Sequence, residues 1–124
     1  MNDFSDLDIL NLNQALEYVA GEKELLKELL DAFVKDKKLS YEKLLSLEES
    51  DKVEAAKYVH YFKGGGRQLC AQRLNAAGQR LEDFLRGRLK STDEKEVNVE
   101  DLNKDFVTAY QEALKAMEKA LGEF

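Results

Sequence analysis

The sequence contains no proline and no tryptophan, and only one cysteine and one histidine occur among its 124 residues. A single cysteine cannot form an intramolecular disulfide, which favours a reducing compartment. The acidic N-terminus, MNDFSDLDIL, lacks the basic start and the apolar run of a secretory signal peptide. No apolar stretch approaches the ~20 residues that a membrane-spanning helix needs. We therefore expect a soluble, cytoplasmic protein that does not enter a membrane.

Basic residues are fewer than acidic ones: 19 Lys and Arg stand against 25 Asp and Glu, and the formal net charge is −6. Recognition of nucleic acid depends on neutralising phosphates with Lys and Arg, so this balance argues against a nucleic-acid partner. Several basic residues do occur between Arg67 and Lys90, but Glu82 and Asp83 are interleaved with them. This local group softens the argument without reversing it.

Leu, Ala and charged residues dominate the chain, and the charged residues, 35% of the total, are mixed in sign. Together with the lack of proline, this composition is typical of helices with solvated faces. Apolar residues also recur at helical spacing. The pattern predicts a short helix over about residues 11–20, a second from Glu22 through Tyr41 to about Leu45, a third after Asp51, a fourth from about Ala71 to Leu89, and a last one after Asn98.

Five helices, four of them long and joined by short connections, predict an all-α protein. We expect an antiparallel four-helix bundle with a short additional N-terminal helix, in one domain over residues 1–124. Asp51 with Glu54 and Asn98 with Asp101 have the spacing of helix N-caps. Apolar stripes predict the buried faces of the third and last helices: Ala55, Val59, Phe62, Gly66 and Leu69, and Leu102, Phe106, Ala109, Ala113, Met117 and Ala120.

The stretch VHYFKGGGRQLC, residues 59–70, combines the single histidine with three consecutive glycines. Each glycine in a helix interior costs about 1 kcal/mol relative to alanine. One glycine would be enough to end a helix. A run of three therefore indicates that small size is itself required, as where another backbone or a partner comes close.

His60 is a candidate nucleophile, because Lys63 and Gly64 follow it by three and four positions and share its helix face. An imidazole can act as a nucleophile at neutral pH. A phosphoryl group on its ring nitrogen would carry negative charge that the ammonium of Lys63 could stabilise, and Gly64 would leave room for the group that delivers it. No residues at ligand spacing suggest a metal site, and no nucleotide-binding motif is present.

The stretch HYFKGGGRQLCAQRLNAAGQRLE resembles the signature of the histidine-containing phosphotransfer (HPt) family of bacterial two-component phosphorelays. That signature is a His, two residues, Lys-Gly, two small residues, an apolar position and Gly-Ala, with a Leu-Glu or Leu-Gln pair further on. GEKELLKELLDAFVKD resembles the second helix of the family. The resemblance covers about residues 10–90, and the motif-bearing helices span about residues 51–90.

The resemblance implies a role for each matching residue. His60 matches the phosphoacceptor, Lys63 the lysine that supports the phosphoryl group, and Gly64 the glycine that admits the partner. Glu82 matches the residue that bonds the other imidazole nitrogen. It would hold Nδ1 protonated and leave Nε2 free to attack. Cys70 departs from the pattern, because the family usually has glycine there.

By this resemblance the protein is a phosphotransfer intermediate, which takes a phosphoryl group from a receiver-domain aspartate and passes it to another receiver. It would be a covalent carrier without a kinase site or cofactor of its own, since the receiver holds the Mg²⁺. The expected partners are response-regulator receiver domains and a hybrid sensor histidine kinase, which a monomer would contact through an exposed face near His60. The candidate docking residues are Val53, Ala56, Tyr61, Gly64 and Arg67.

Two alternatives stay open. A helical bundle could bind a receiver or a kinase as a scaffold without being phosphorylated, although a retained histidine at position 60 argues against this. The chain could also be the phosphoacceptor domain of a chemotaxis-type histidine kinase. Its start at Met1 and the lack of a trailing linker favour a free-standing protein.

Overall fold

The computed structural model describes residues 4–36, 38–89 and 97–124. All regular secondary structure within these ranges is helical, which confirms the predicted all-α class. No helix in these ranges is at once long and apolar enough to cross a membrane. The helices are α1 (Leu12–Tyr18), α2 (Lys23–Lys35), α3 (Tyr41–Ser50), α4 (Lys52–Gln68), α5 (Gln72–Leu85) and α6 (Val99–Glu123).

The prediction of one long second helix from Glu22 to about Leu45 is wrong, because the structure divides this stretch into α2 and α3. The chain leaves α2 at Asp36, where the backbone is extended. It re-enters a helix at Ser40, whose side chain accepts a hydrogen bond from the amide of Lys43 at 3.2 Å. The amide of Ser40 donates to the hydroxyl of Tyr58 at 2.9 Å. This link to α4 holds the break in place.

The fourth helix is also shorter than predicted, because α5 ends at Leu85 instead of Leu89. Gly87 adopts a left-handed backbone with φ of 71°. The amide of Arg88 then reaches back to the carbonyl of Asp83 at 2.7 Å and closes the turn. A glycine just past the end of a helix commonly has this role.

Both predicted N-caps are confirmed. The carboxylate of Asp51 accepts from the amides of Val53 and Glu54 at 3.1 and 3.3 Å, so α4 begins where the sequence indicates. The side chain of Asn98 accepts from the amide of Asp101 at 2.8 Å at the start of α6. These caps satisfy amides that have no partner within their own helix.

The core is formed where the apolar faces of the helices pack against one another. α5 packs against α4 and α6, α2 against α6, α3 against α4, and α1 against α2. The predicted stripe residues of the third and last helices are all buried. Leu25 of α2 and Leu45 of α3 lie at the edge of this core and are 38% and 37% exposed.

Two of the three consecutive glycines are explained by packing within the protein. A Cβ atom at Gly65 would lie 2.6 Å from Cε2 of Phe33 on α2, and one at Gly66 would lie 2.7 Å from Cδ2 of Leu74 on α5. Contacts under 3.0 Å are essentially never made by real Cβ atoms. The two glycines therefore let α4 approach both neighbouring helices closely.

The turn between α4 and α5 is built around Cys70, which has a left-handed φ of 61°. Its amide donates to the carbonyl of Arg67 at 3.2 Å, and the amide of Ala71 donates to the carbonyl of Gly66 at 2.8 Å. These two bonds form a Schellman motif, in which glycine usually occupies the left-handed position. Cys70 is 4% exposed, so the residue with this unusual backbone is part of the core.

Candidate functional site

α4 and α5 run side by side in opposite directions, which brings distant parts of the sequence together. Gly66 of α4 lies against Leu74 of α5, Lys63 against Gly78, and His60 against Glu82. Residue numbers therefore decrease along α4 as they increase along α5. The imidazole and the carboxyl group predicted to act together are thus neighbours, although 22 positions separate them in the chain.

The carboxylate of Glu82 is the centre of the site, and its side chain is only 4% exposed. Its Oε1 atom lies 2.9 Å from Nζ of Lys63 and 3.2 Å from Nδ1 of His60. Its Oε2 atom accepts from Nε of Arg86 at 2.8 Å, with a guanidinium nitrogen of Arg88 at 3.8 Å. One buried carboxylate of α5 therefore pairs with side chains of α4 and with the arginines that follow it in the chain.

Glu82 is ionised at neutral pH. Burial by itself raises the pKa of its carboxyl group, but hydrogen bonds from Lys63, Arg86 and His60 outweigh this effect and lower the pKa to about 2. An ionised carboxylate can only accept hydrogen bonds. Nδ1 of His60 must therefore carry the hydrogen that this contact requires, which leaves the lone pair of a neutral ring on Nε2.

The imidazole of His60 is open to solvent, since its side chain is 61% exposed. Within the described part of the chain, Nδ1 is the ring atom that makes a hydrogen bond. The imidazole is therefore exposed, and the protein holds it through Nδ1 and not through Nε2. This geometry orients a nucleophile without covering it.

Lys63 is on the predicted helix face, but its side chain is only 9% exposed. Its ammonium donates to Oε1 of Gln79 at 2.8 Å besides pairing with Glu82. Its stem fits against Gly78, where a Cβ atom would lie 2.9 Å from Cβ of Lys63 and 3.0 Å from a ring carbon of Phe106. Lys63 is therefore held within the site and does not extend into solvent.

Gly64 differs from the two glycines that follow it. A Cβ atom added at Gly64 would meet nothing within 4 Å. No contact of the described residues explains why this position, four residues after His60, has no side chain. The packing of the described residues therefore leaves room for a side chain at this position.

Most of the predicted docking residues lie at the surface. Val53 is 58% exposed and Tyr61 44%, and Gly64 and Arg67 are also exposed. The prediction of Ala56 as a docking residue is wrong, because this residue is 0% exposed and belongs to the core. A step of four residues rotates about 40° around a helix, and from His60 that rotation leads inward.

The hydroxyl group of Tyr61 donates to the carboxylate of Asp36 at the end of α2. Its ring meets Phe62 edge-on, with 5.1 Å between the ring centroids. The aromatic side chain next to His60 is thus tied to α2 as well as to α4. The surface beside the imidazole is formed by two helices.

Four residues of the site were missed from the sequence: Gly78, Gln79, Arg86 and Arg88. Arg86 follows Glu82 by four positions, a spacing that commonly forms ion pairs on helices and could have revealed it. A glycine inside a helix is likewise a signal that a neighbour comes close. Gln79 gives no such signal, because its role depends on where α4 lies.

The described ranges contain no group of three or more His, Cys, Asp or Glu side chains that could hold a metal ion. No protein-family model, no curated protein and no solved structure matches the chain. What the site can do chemically is therefore inferred from its own geometry.

Glu82→Gln should lower the free energy of unfolding at neutral pH by about 1–3 kcal/mol, because the buried ammonium of Lys63 and the half-buried guanidinium of Arg86 lose a charged acceptor. It should also flatten the loss of stability in acid. The carboxylate of Glu82 stabilises the fold fully above its ordinary pKa of 4.5, and this contribution disappears as the pH falls through about 2. Urea denaturation at a series of pH values measures both effects.

The matched control is Glu28→Gln, which changes an exposed carboxylate on α2. It should leave the pH dependence of the wild type unchanged. Equal pH dependence of the Glu82→Gln variant and the wild type would contradict the described role of the buried carboxylate.

Proposed function

We propose that this protein is a histidine phosphotransfer domain, which accepts a phosphoryl group on His60 from one receiver domain and passes it to another. The observation that supports the proposal is an exposed imidazole whose Nδ1 atom is bound, at 3.2 Å, by a buried and ionised carboxylate. Anchoring of one ring nitrogen by an oriented base partner is the usual arrangement of a nucleophilic histidine.

The reaction needs no proton transfer at the ring. The lone pair of Nε2 attacks the phosphorus of an aspartyl phosphate, the bond from phosphorus to the carboxyl oxygen breaks, and the aspartate leaves as a carboxylate. The ring becomes positively charged and keeps its hydrogen on Nδ1. Glu82 accepts a hydrogen bond from this group and stabilises the charge as it forms. The reverse steps return the phosphoryl group to a receiver.

Lys63 is suited to offset the charge of the bound phosphoryl group. Its ammonium and Nδ1 of His60 are both within hydrogen-bond distance of the same oxygen atom of Glu82, so the cation lies beside the ring. An ammonium has three N–H donors. Glu82 and Gln79 accept two of them, which leaves one for a phosphoryl oxygen.

The exposed surface around His60 would receive the receiver domain, which would bring the aspartate and the Mg²⁺. Val53, Tyr61 and Arg67 offer apolar, aromatic and basic contacts there. Gly64 would allow the backbone of α4 to approach the partner. A hybrid sensor histidine kinase would act upstream, and the relay would operate in the cytoplasm, with this chain as a monomer.

The proposal includes the antiparallel four-helix bundle, with α4, α5, α6 and the pair of α2 and α3 as its four members and α1 as the additional helix. The packing of α4 on α5, of α5 on α6 and of α6 on α2 supports it. Such a bundle presents the face of α4 that carries His60 on its outside.

The direct test mixes the protein with a labelled phospho-receiver and Mg²⁺ and follows the label. The label should move to this chain as acid-labile, base-stable phosphate, and His60→Gln should abolish the transfer. Because the imidazole is exposed, the variant should keep its fold, which circular dichroism verifies. Label that stays on every receiver tried, while the protein still binds receivers, would favour a scaffold and contradict the proposal.

Gly64→Ala should raise stability by about 0.5–1 kcal/mol, because alanine is the better helix former and its Cβ meets nothing inside the protein. The same change should slow phosphotransfer several-fold, and Gly64→Gln should slow it further, because the added atoms face the partner. Gly122→Ala is the control, since it also adds a Cβ to open space but lies on α6. Unchanged transfer by both Gly64 variants would remove Gly64 from the docking surface.

A further inference from the structure

Lys63 has a second anchor that the sequence motif does not include. Its ammonium donates to Oε1 of Gln79 at 2.8 Å, from one helix to the other. Gln79 itself is exposed, so its side chain could point into solvent. The contact across the helices therefore needs something that holds the amide in place.

Asp83 holds the side-chain amide of Gln79 in place. The Nε2 atom of Gln79 donates to Oδ1 of Asp83 at 2.9 Å, one turn further along α5. Asp83 is bound in turn by the guanidinium of Arg88, at 3.1 Å from Nε and 2.9 Å from a terminal nitrogen. With its nitrogen taken by Asp83, the amide of Gln79 must present its oxygen to Lys63.

We propose that Gln79 is a positioning residue for phosphoryl transfer, which keeps the ammonium of Lys63 beside His60 with one donor directed to the phosphoryl group. This inference rests on the proposed function. Glutamine is suited to the position because it is a donor toward Asp83 and an acceptor toward Lys63 at once. Glutamate would repel Asp83, and leucine would leave Lys63 with one anchor.

The experiment compares Gln79→Leu, Lys63→Met and the double variant in the phosphotransfer assay, with Gln111→Leu on the exposed side of α6 as control. Gln79→Leu should slow transfer about tenfold, the factor that corresponds to about 1.4 kcal/mol. In the Lys63→Met background the same change should have little further effect, because the two residues act together. Thermal unfolding should be unchanged by Gln79→Leu.

Wild-type transfer by Gln79→Leu, or an effect that adds fully to that of Lys63→Met, would overturn the positioning role and leave the proposed function standing. A wild-type protein that accepts no phosphoryl group from any receiver would overturn both. Partial recovery in Gln79→Glu combined with Asp83→Asn, which exchanges donor and acceptor, would support the role further.

A separate observation concerns a buried polar pair between α3 and α6. Nδ2 of Asn103, a residue that is 0% exposed, donates to Oε1 of Glu48 at 2.8 Å. The other oxygen of each group, Oε2 of Glu48 and Oδ1 of Asn103, is buried and has no hydrogen-bond partner among the described residues. An unpartnered buried acceptor is costly, so two in one contact require an explanation.

A proton on Oε2 of Glu48 would give this contact the donor that it lacks. Two acceptors cannot bond to each other, but a protonated Oε2 is a donor and Oδ1 of Asn103 is an acceptor. Burial raises the pKa of Glu48, although the bond from Asn103 and the charge of Lys52 oppose the rise. Around the adjacent cavity of about 510 Å³, the charged or titratable groups are Tyr41 and Glu49 of α3, Lys52 of α4 and Glu100 of α6, while α5 contributes Phe84 and Leu85.

We infer that Oε2 of Glu48, when protonated, donates to Oδ1 of Asn103, so that an acid–amide pair with two hydrogen bonds joins α3 to α6 and holds its proton to higher pH than the unfolded chain does. Ionisation of Glu48 breaks one of these bonds. Because the unfolded chain releases this proton more readily than the folded protein does, the pair stabilises the fold in acid. This contribution is lost as the pH rises.

Glu48→Gln tests this inference, because glutamine supplies a permanent N–H where the acid supplies a titrating proton. The variant should be as stable as the wild type in mild acid and more stable at alkaline pH, as measured by urea denaturation. Glu49→Gln, at the exposed neighbouring position, should behave like the wild type. In the folded wild type, the side-chain ¹³C resonance of Glu48 should titrate at higher pH than it does in the urea-unfolded chain.

Titration of Glu48 at the same pH in the folded and unfolded chain would overturn the inference. So would a loss of stability in Glu48→Gln at alkaline pH, which would show that an ionised Glu48 pairs with Lys52 instead. Both measurements use the complete chain.

Discussion

Glu82 places an ionised carboxylate between α4 and α5, where water is largely excluded. A charge in such a position must be paired, and here Lys63, Arg86 and His60 all bind it. The same contacts that make the buried charge tolerable also fix the tautomer of the imidazole and hold a cation beside it. Stability and proposed chemistry thus depend on one group, and the exposed ring is oriented from beneath by the protein.

Close approach of the helices makes this arrangement possible. Gly65, Gly66 and Gly78 each remove a Cβ atom that would lie 3.0 Å or less from a side chain of another helix. The turn at Cys70 then sets the two helices antiparallel, with His60 opposite Glu82. A Cβ atom at Gly64 would meet nothing within 4 Å, so the packing of α4 on its neighbours requires the other three glycines but not this one.

Features that depend on one helix could be predicted from the sequence. The caps at Asp51 and Asn98 and the buried faces of α4 and α6 follow from local spacing, and the structure has them. The break between α2 and α3 could not be found in this way, because apolar spacing continues across it and Tyr58 of another helix stabilises it. The burial of Ala56 and Lys63 and the role of Gln79 likewise depend on where neighbouring helices lie.

The tautomer of His60 is the most direct measure of the central claim. Long-range ¹H–¹⁵N correlation spectra of the unphosphorylated protein, recorded where the ring is neutral, distinguish the two ring nitrogens. We expect the hydrogen on Nδ1 and a bare Nε2 in the wild type, with a mixture of tautomers once Glu82 is replaced by alanine. A neutral ring in the wild type with its hydrogen mainly on Nε2 would contradict the account, because the nitrogen proposed to attack would then have no lone pair.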